Sequence, residues 1–136
     1  MENKPKPAPV VNSCAKPFWE AARDGKLIIQ KCDDCGAKIF YPRFFCPACF
    51  SDKLGWMPCS GKGKIYSYTV VESNAPSAFL ADIPYVVAII RLDEGVQMCS
   101  NIVDCDPRNV KCDMPVEVVF EKLNDEFTLP KFKPVS

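Results

Sequence analysis

Cys32-Asp33-Asp34-Cys35-Gly36 and, ten residues further on, Cys46-Pro47-Ala48-Cys49 decide how the rest of the chain is read. Each is a Cys-x-x-Cys knuckle, in which two sulfurs reach one ion while the backbone turns around it. Two such knuckles complete a tetrahedral shell of four thiolates with no open coordination position. Gly36 after the first pair lets the chain take a positive φ. The intervening residues predict a short hairpin whose strand Ile39-Phe40-Tyr41 is ended by Pro42. Residues 32–49 are too few to build a core, so a metal would stand in for one. A closed four-sulfur shell activates no water. The expected ion is therefore a structural zinc on Cys32, Cys35, Cys46 and Cys49, with iron in a rubredoxin-like electron carrier as the alternative metal.

Working outward, residues 1–16 are rich in Pro and Lys and read as a flexible, extended arm. A short helix is expected from Pro17 to Asp24, stopped by Gly25. Leu27–Lys31 reads as a strand leading into Cys32, and Leu54–Pro58 as a third strand of the ribbon. From Gly61 the pattern turns all-β. Strands are expected over Lys64–Val71, Tyr85–Leu92, Val96–Val103, Pro115–Leu123 and Glu126–Phe132. The second is a continuous apolar run, which predicts burial on both faces. No helix is long enough for a crossover, so five strands at short spacing predict a small Greek-key barrel. The chain thus divides into an arm (1–16), a helix and ribbon (17–60) and a barrel (61–136).

Composition narrows the chemistry. The 136 residues suit one domain or two very small ones. Histidine is absent, which removes Ser-His and Cys-His nucleophile pairs. Nine cysteines, an odd number, with no secretory pattern at the N-terminus argue against a disulfide framework and for a reduced, cytoplasmic setting. A thioredoxin-like redox pair lacks its βαβ context. Of the remaining cysteines, Cys99 is expected as a small apolar core residue. No apolar run is long enough to span a membrane. The whole chain is neutral, but residues 61–136 carry eight basic and eleven acidic side chains, net −3. That opposes the alternative function class, a single-stranded nucleic-acid binder, which needs a basic groove lined with aromatics. Loop position singles out Arg43 and Phe44 between the knuckles, with Phe45 beside them, and Phe79 with Leu80 in the long loop 73–84. These are candidates for a partner or ligand contact; for Arg43 a solvated cation is the competing reading. Trp19 and Trp56 are expected to anchor the two modules together.

These features in combination resemble a known family: small proteins joining a rubredoxin-like zinc ribbon to an OB-fold, once filed as a domain of unknown function and linked to acyl-CoA metabolism. The likeness runs from Phe18 to Phe132. It is carried by Phe18-Trp19, Gly25, Cys32, Cys35-Gly36, Pro42-Arg43, Cys46-Pro47, Cys49, Trp56, Ser60 to Ile65, Tyr68-Thr69, Pro84-Tyr85, Gly95 and Pro115 to Val118. Asp113 stands where the family often has glycine, and Asp tolerates the left-handed turn better than most residues. The resemblance implies a mainly β protein with an N-terminal helix, a zinc ribbon and a five-stranded OB-fold barrel. It further implies a non-catalytic accessory subunit of a thiolase-like enzyme, needed for that partner's activity and shaping its acyl-CoA site. Within the family the chain looks most similar to the small subunits of two-component thiolases, such as the benzoylsuccinyl-CoA thiolase of anaerobic toluene degradation. Coenzyme A thioester would then be a ligand of the hetero-oligomer.

Overall fold

The structure, a computed structural model, describes residues 6–135. Positions 1–5 of the expected arm and the terminal residue 136 lie outside the described residues. Residues 6–15 have no regular structure, and Lys6 forms an ion pair with Asp82 at 2.6 Å.

Helix α1 spans Lys16–Arg23, with Pro17 in its first turn, where its missing N–H costs nothing. The helix ends in a Schellman arrangement: Lys26 N–H donates to Ala21 O at 2.8 Å and Gly25 N–H to Ala22 O at 3.0 Å. Three strands follow as one antiparallel sheet in the order β2-β1-β3: β1 (Ile28–Cys32), β2 (Lys38–Ile39) and β3 (Leu54–Pro58). Strand β1 is central, which is why Ile29 and Gln30, pointing to opposite faces, are both buried.

The second module is a closed barrel of β4 (Lys62–Val71), β5 (Tyr85–Leu92), β6 (Gln97–Ile102), β7 (Pro115–Lys122) and β8 (Thr128–Pro134). Its order is β4-β5-β6-β8-β7, with β7 closing on β4 and the single parallel contact between β6 and β8. This Greek-key ordering is the five-stranded OB-fold. Ile65, Val86, Ala88, Ile90, Leu92, Met98, Val116 and Phe132 fill it. Closure demands a residue without a side chain at Gly63, where β4 pairs with Leu92 on one side and Val116 on the other. A Cβ there would collide with Arg91 O and lie 3.0 Å from Leu92 Cα.

Two expectations are corrected. The apolar run of β5 is not buried on both faces. Val86, Ala88, Ile90 and Leu92 point into the barrel, Tyr85, Val87 and Ile89 are half-buried, and Arg91 is exposed. Cys99 is not a core residue either; it faces outward and is exposed. The long loop 73–84 carries a 3₁₀ turn at Ser77–Asp82.

Helix α1 joins the two modules. Phe18 is 5% exposed and belongs to the same continuous core as the barrel residues, with Ile29 of the ribbon sheet also in it. Its burial contributes roughly 2–3 kcal/mol. Trp19 stacks edge-on against Phe127 at 5.6 Å, and Phe40 lies 5.5 Å from Phe18. Trp56 packs against the same core from β3.

Candidate metal centre and its surroundings

The end of β1 delivers Cys32, and the chain then turns twice in the same way. In the first knuckle Gly36 N–H donates to Cys32 O at 2.9 Å, with Gly36 at φ +77°. In the second, Phe50 N–H donates to Cys46 O at 2.8 Å, with Phe50 at φ +62°. The turns bring four sulfurs together: Cys32 and Cys49 at 3.6 Å, Cys35 and Cys46 at 3.5 Å, all four within 4.8 Å of one another. A tetrahedron with zinc–sulfur bonds of about 2.3 Å has edges of about 3.8 Å, so the donor set and spacing fit a zinc ion. Cys32 and Cys46 are buried, Cys35 and Cys49 exposed. Backbone N–H groups of Cys35 and Ala48 point at the sulfurs of Cys32 and Cys46, each at 3.4 Å. The Cys35 N–H is the main reason that the Cys32 thiol is held down at about 7, whereas burial and the neighbouring sulfurs push the Cys49 thiol up to about 12.

Sequence reasoning missed Gln30. This side chain is 4% exposed and clamps the loop between the knuckles. Arg43 N–H donates to Gln30 Oε1 at 2.7 Å, and Gln30 Nε2 donates to Arg43 O at 2.9 Å. The available signal was an amide inside the apolar run Leu27–Lys31, since a buried amide in a strand must satisfy its polar atoms on something.

The expected contact residues fall in different places. Arg43 is exposed and lines a hollow with Tyr41, Pro47, Ile89 and Gln97, near the turn of the β5–β6 hairpin. Phe44 is exposed on the loop between the knuckles. Phe79 lies toward the other end of that hairpin, half-buried against Tyr85 at 6.0 Å, with Lys6 Nζ 5.6 Å from its ring centre. A second, mostly apolar cleft of about 400 Å³ lies between α1 with the Tyr41–Pro42 turn and the β6–β8 side of the barrel. Its polar ties are Cys99 N–H to Tyr41 Oη at 3.1 Å and Ser100 Oγ to Pro130 O at 2.8 Å. Outside the metal centre, Cys59 is pushed up to about 12 by burial and by the nearby Glu94 charge, which makes it a poor nucleophile. No helix among the described residues is long and apolar enough to cross a membrane.

A rubredoxin-like ribbon followed by an OB-fold barrel, with an N-terminal helix packed against both, defines the class of protein. Residues 19–55 match the ChsH2 rubredoxin-like zinc ribbon domain and residues 56–121 the ChsH2 C-terminal OB-fold domain. The chain belongs to this ChsH2-type family, also called DUF35. A DUF35 domain-containing scaffold protein of Methanothermobacter thermautotrophicus is 46% identical over 99 residues, covering 71% of this chain and 73% of that protein. A probable enoyl-CoA hydratase alpha subunit of Thermomonospora curvata is 35% identical over 98% of this chain. The chain spans only 42% of that relative's length. Among solved structures, an Ltp2-ChsH2(DUF35) aldolase aligns with a TM-score of 0.86 at 34% identity, covering 93% of this chain and 98% of that one. The benzoylsuccinyl-CoA thiolase subunit BbsA of Thauera aromatica is 26% identical, over 90% of this chain and 84% of that subunit. The family expected from the sequence is thus the family found. The names of its members divide among scaffold, hydratase, aldolase and thiolase subunits.

Proposed function

We propose that this chain is a non-catalytic subunit of an acyl-CoA-processing enzyme, braced by a structural zinc on Cys32, Cys35, Cys46 and Cys49. The observation that carries the reading is the match over both modules to relatives named as subunits of acyl-CoA enzymes or as scaffolds. The chemistry of the chain agrees with it. There is no histidine, the thiol cluster leaves a metal no free position, and the half-buried Cys59 thiol is held protonated by burial and the Glu94 charge. Catalysis belongs to a partner; this subunit holds a surface against it and helps enclose the acyl-CoA. Among partners, a thiolase-like enzyme is the favoured one. Thiolases and aldolases both break or form a carbon–carbon bond beside a carbonyl, and both names occur among the relatives. Benzoylsuccinyl-CoA is the specific substrate we favour, and the reducing cytoplasm is the setting in which nine unbridged thiols persist. Arg43, Phe44 and Phe79 are the residues proposed to face the partner or the acyl-CoA.

The test is recovery of the chain from its native source with whatever it holds, followed by metal analysis and assays for thiolysis, retro-aldol cleavage and hydration. The expected result is about one zinc per chain, a bound acyl-CoA enzyme and no turnover by the chain alone. Thiolysis by the isolated chain, or recovery with single-stranded nucleic acid and no such enzyme, would refute the proposal.

A further inference from the structure

The arm ahead of α1 is held at two points and is free between them. At its outer end Lys6 Nζ pairs with Asp82 Oδ2 at 2.6 Å and lies 5.6 Å from the ring centre of Phe79. At its inner end Asn12 Oδ1 accepts the Ala15 N–H at 2.9 Å, and the Cys14 thiol donates to Pro42 O at 3.6 Å. Residues 7–11 make no main-chain hydrogen bond to any described residue, and Val10 is 97% exposed. Pro7 and Pro9 have no N–H to give, which keeps this stretch extended and out of any sheet. In that form the six steps from Lys6 to Asn12 reach about 19 Å.

Each end of the arm stands on a cleft. Lys6 lines one of about 310 Å³ with Phe79, Tyr85 and Cys105. Asn12 and Ala15 line the apolar one between α1 and the barrel, with Trp19 and Leu129. The two clefts adjoin, since Asn101 and Lys131 line both. The exposure of Val10 means that the arm bridges these clefts and does not fill them. Its outer tie is a weak one. The side chains of Lys6 and Asp82 are 31% and 44% exposed, so water and salt reach the pair, and pairs of this kind bias an equilibrium only a few fold. Glu121, at the margin of the same cleft, is already taken by Lys131 at 2.9 Å and offers Lys6 no second hold.

We infer that residues 6–15 are a releasable strap over the joined clefts, latched by Lys6 on Asp82, and that its release opens the clefts and frees the ring of Phe79. A latch of one exposed ion pair opens and closes, whereas a hydrogen-bonded or buried arm is a fixed part of a fold. The strap stands apart from the function proposed above, because neither of its ties involves a partner.

The full-length chain is compared as wild type, Lys6→Gln, Asp82→Asn and the charge-exchanged pair Lys6→Asp with Asp82→Lys. Labelling by N-ethylmaleimide is followed for each cysteine by peptide mass spectrometry. Half-buried Cys105 lies in the cleft that Lys6 lines, and exposed Cys112, outside both clefts, supplies the internal reference rate. Fluorescence of anilinonaphthalene sulfonate reports on the apolar cleft. The two single variants change net charge in opposite directions, so a rise in both cannot come from charge acting on the reagents. The expected result is a Cys105 to Cys112 ratio that rises roughly two- to fivefold in both, with brighter dye, and returns to wild type in the exchanged pair. Sodium chloride at about 1 M should raise the wild-type ratio and leave that of Lys6→Gln unchanged. An unchanged ratio in the single variants, shifts of opposite sign, or an exchanged pair that behaves like the single variants would each overturn the strap. The proposed function would stand in all three cases.

Discussion

Replacing Gln30 by methionine keeps the volume of a buried side chain and deletes two hydrogen bonds to Arg43, of 2.7 and 2.9 Å. Each such bond contributes about 1 kcal/mol net, and more where the abandoned partner stays out of water. Both partners here are main-chain groups of one residue, in the loop that leads into Cys46. The expected loss is therefore about 2 kcal/mol, or roughly 5–10 °C in Tm for a chain of this size. The ribbon's fold and its metal are coupled, because the thiolates must be assembled before they can bind. The same 2 kcal/mol should then appear as a roughly 30-fold easier transfer of zinc to a competing chelator. Gln30→Glu sharpens the test. It preserves an acceptor for the Arg43 N–H but sets a second oxygen against the Arg43 carbonyl and buries a charge, so at neutral pH it should cost more than Gln30→Met. Melting followed by circular dichroism and a chelator titration together decide it. A Gln30→Met protein that melts within 1 °C of wild type and releases zinc within twofold would show that the clamp is incidental.

Gly63→Ala should cost about 3 kcal/mol, against about 1 kcal/mol for Gly95→Ala. The added methyl at 63 meets backbone on the neighbouring strand, whereas Gly95, at φ +98°, has no atom within 4 Å of that position. Urea unfolding midpoints measure both, and equal losses would contradict the account of barrel closure. Cys59 has a folded value of about 12 against an ordinary value of 9.0. Its contribution to stability is therefore complete below about pH 9 and lost as pH rises toward 12. The wild type should lose more stability between pH 8 and 10.5 than Cys59→Ala does, and parallel losses would count against this. Removing metal with a chelator should expose the amides of Cys32, Cys46 and Phe50 to hydrogen exchange while Ile65 and Ile90 stay protected. Simultaneous loss of protection in both modules would show that the ribbon and barrel unfold as one unit.

The ribbon was legible because metal ligation is a matter of residue type and spacing, and Cys32, Cys35, Cys46 and Cys49 state both in the linear sequence. The barrel was legible from turns, such as Asp93-Glu94-Gly95, where Gly95 N–H closes on Leu92 O at 2.8 Å. What was not legible depends on partners far along the chain. Strand β4 begins at Lys62 rather than Lys64 because residues 62–64 pair with Pro115–Glu117 of β7. Strand β8 begins at Thr128 rather than Glu126 because the side chain of Asn124 accepts the N–H groups of Glu126 and Phe127, both at 2.8 Å. Those amides are spent on the turn and are lost to the ladder. The apolar run of β5 hid its alternation, since Val87 and Ile89 look like core residues and are only half covered. Gln30 looked like a polar interruption in a strand, and its purpose became visible only once Arg43 lay beside it.

The two modules differ in what holds them. The barrel buries a broad apolar set from all five strands, joined by Phe18 and Ile29. The tip of the ribbon buries only Cys32, Cys46 and Ile39 as a cluster of its own, with Ala37 and Leu54 against it. Ordering the backbone costs about 1–2 kcal/mol per residue, and three small side chains do not offset that over residues 32–54. A zinc ion bound by four thiolates contributes about 10–16 kcal/mol and is the one term of sufficient size. Loss of the metal should therefore loosen residues 32–54 first, since the barrel has an apolar core of its own and the ribbon tip does not.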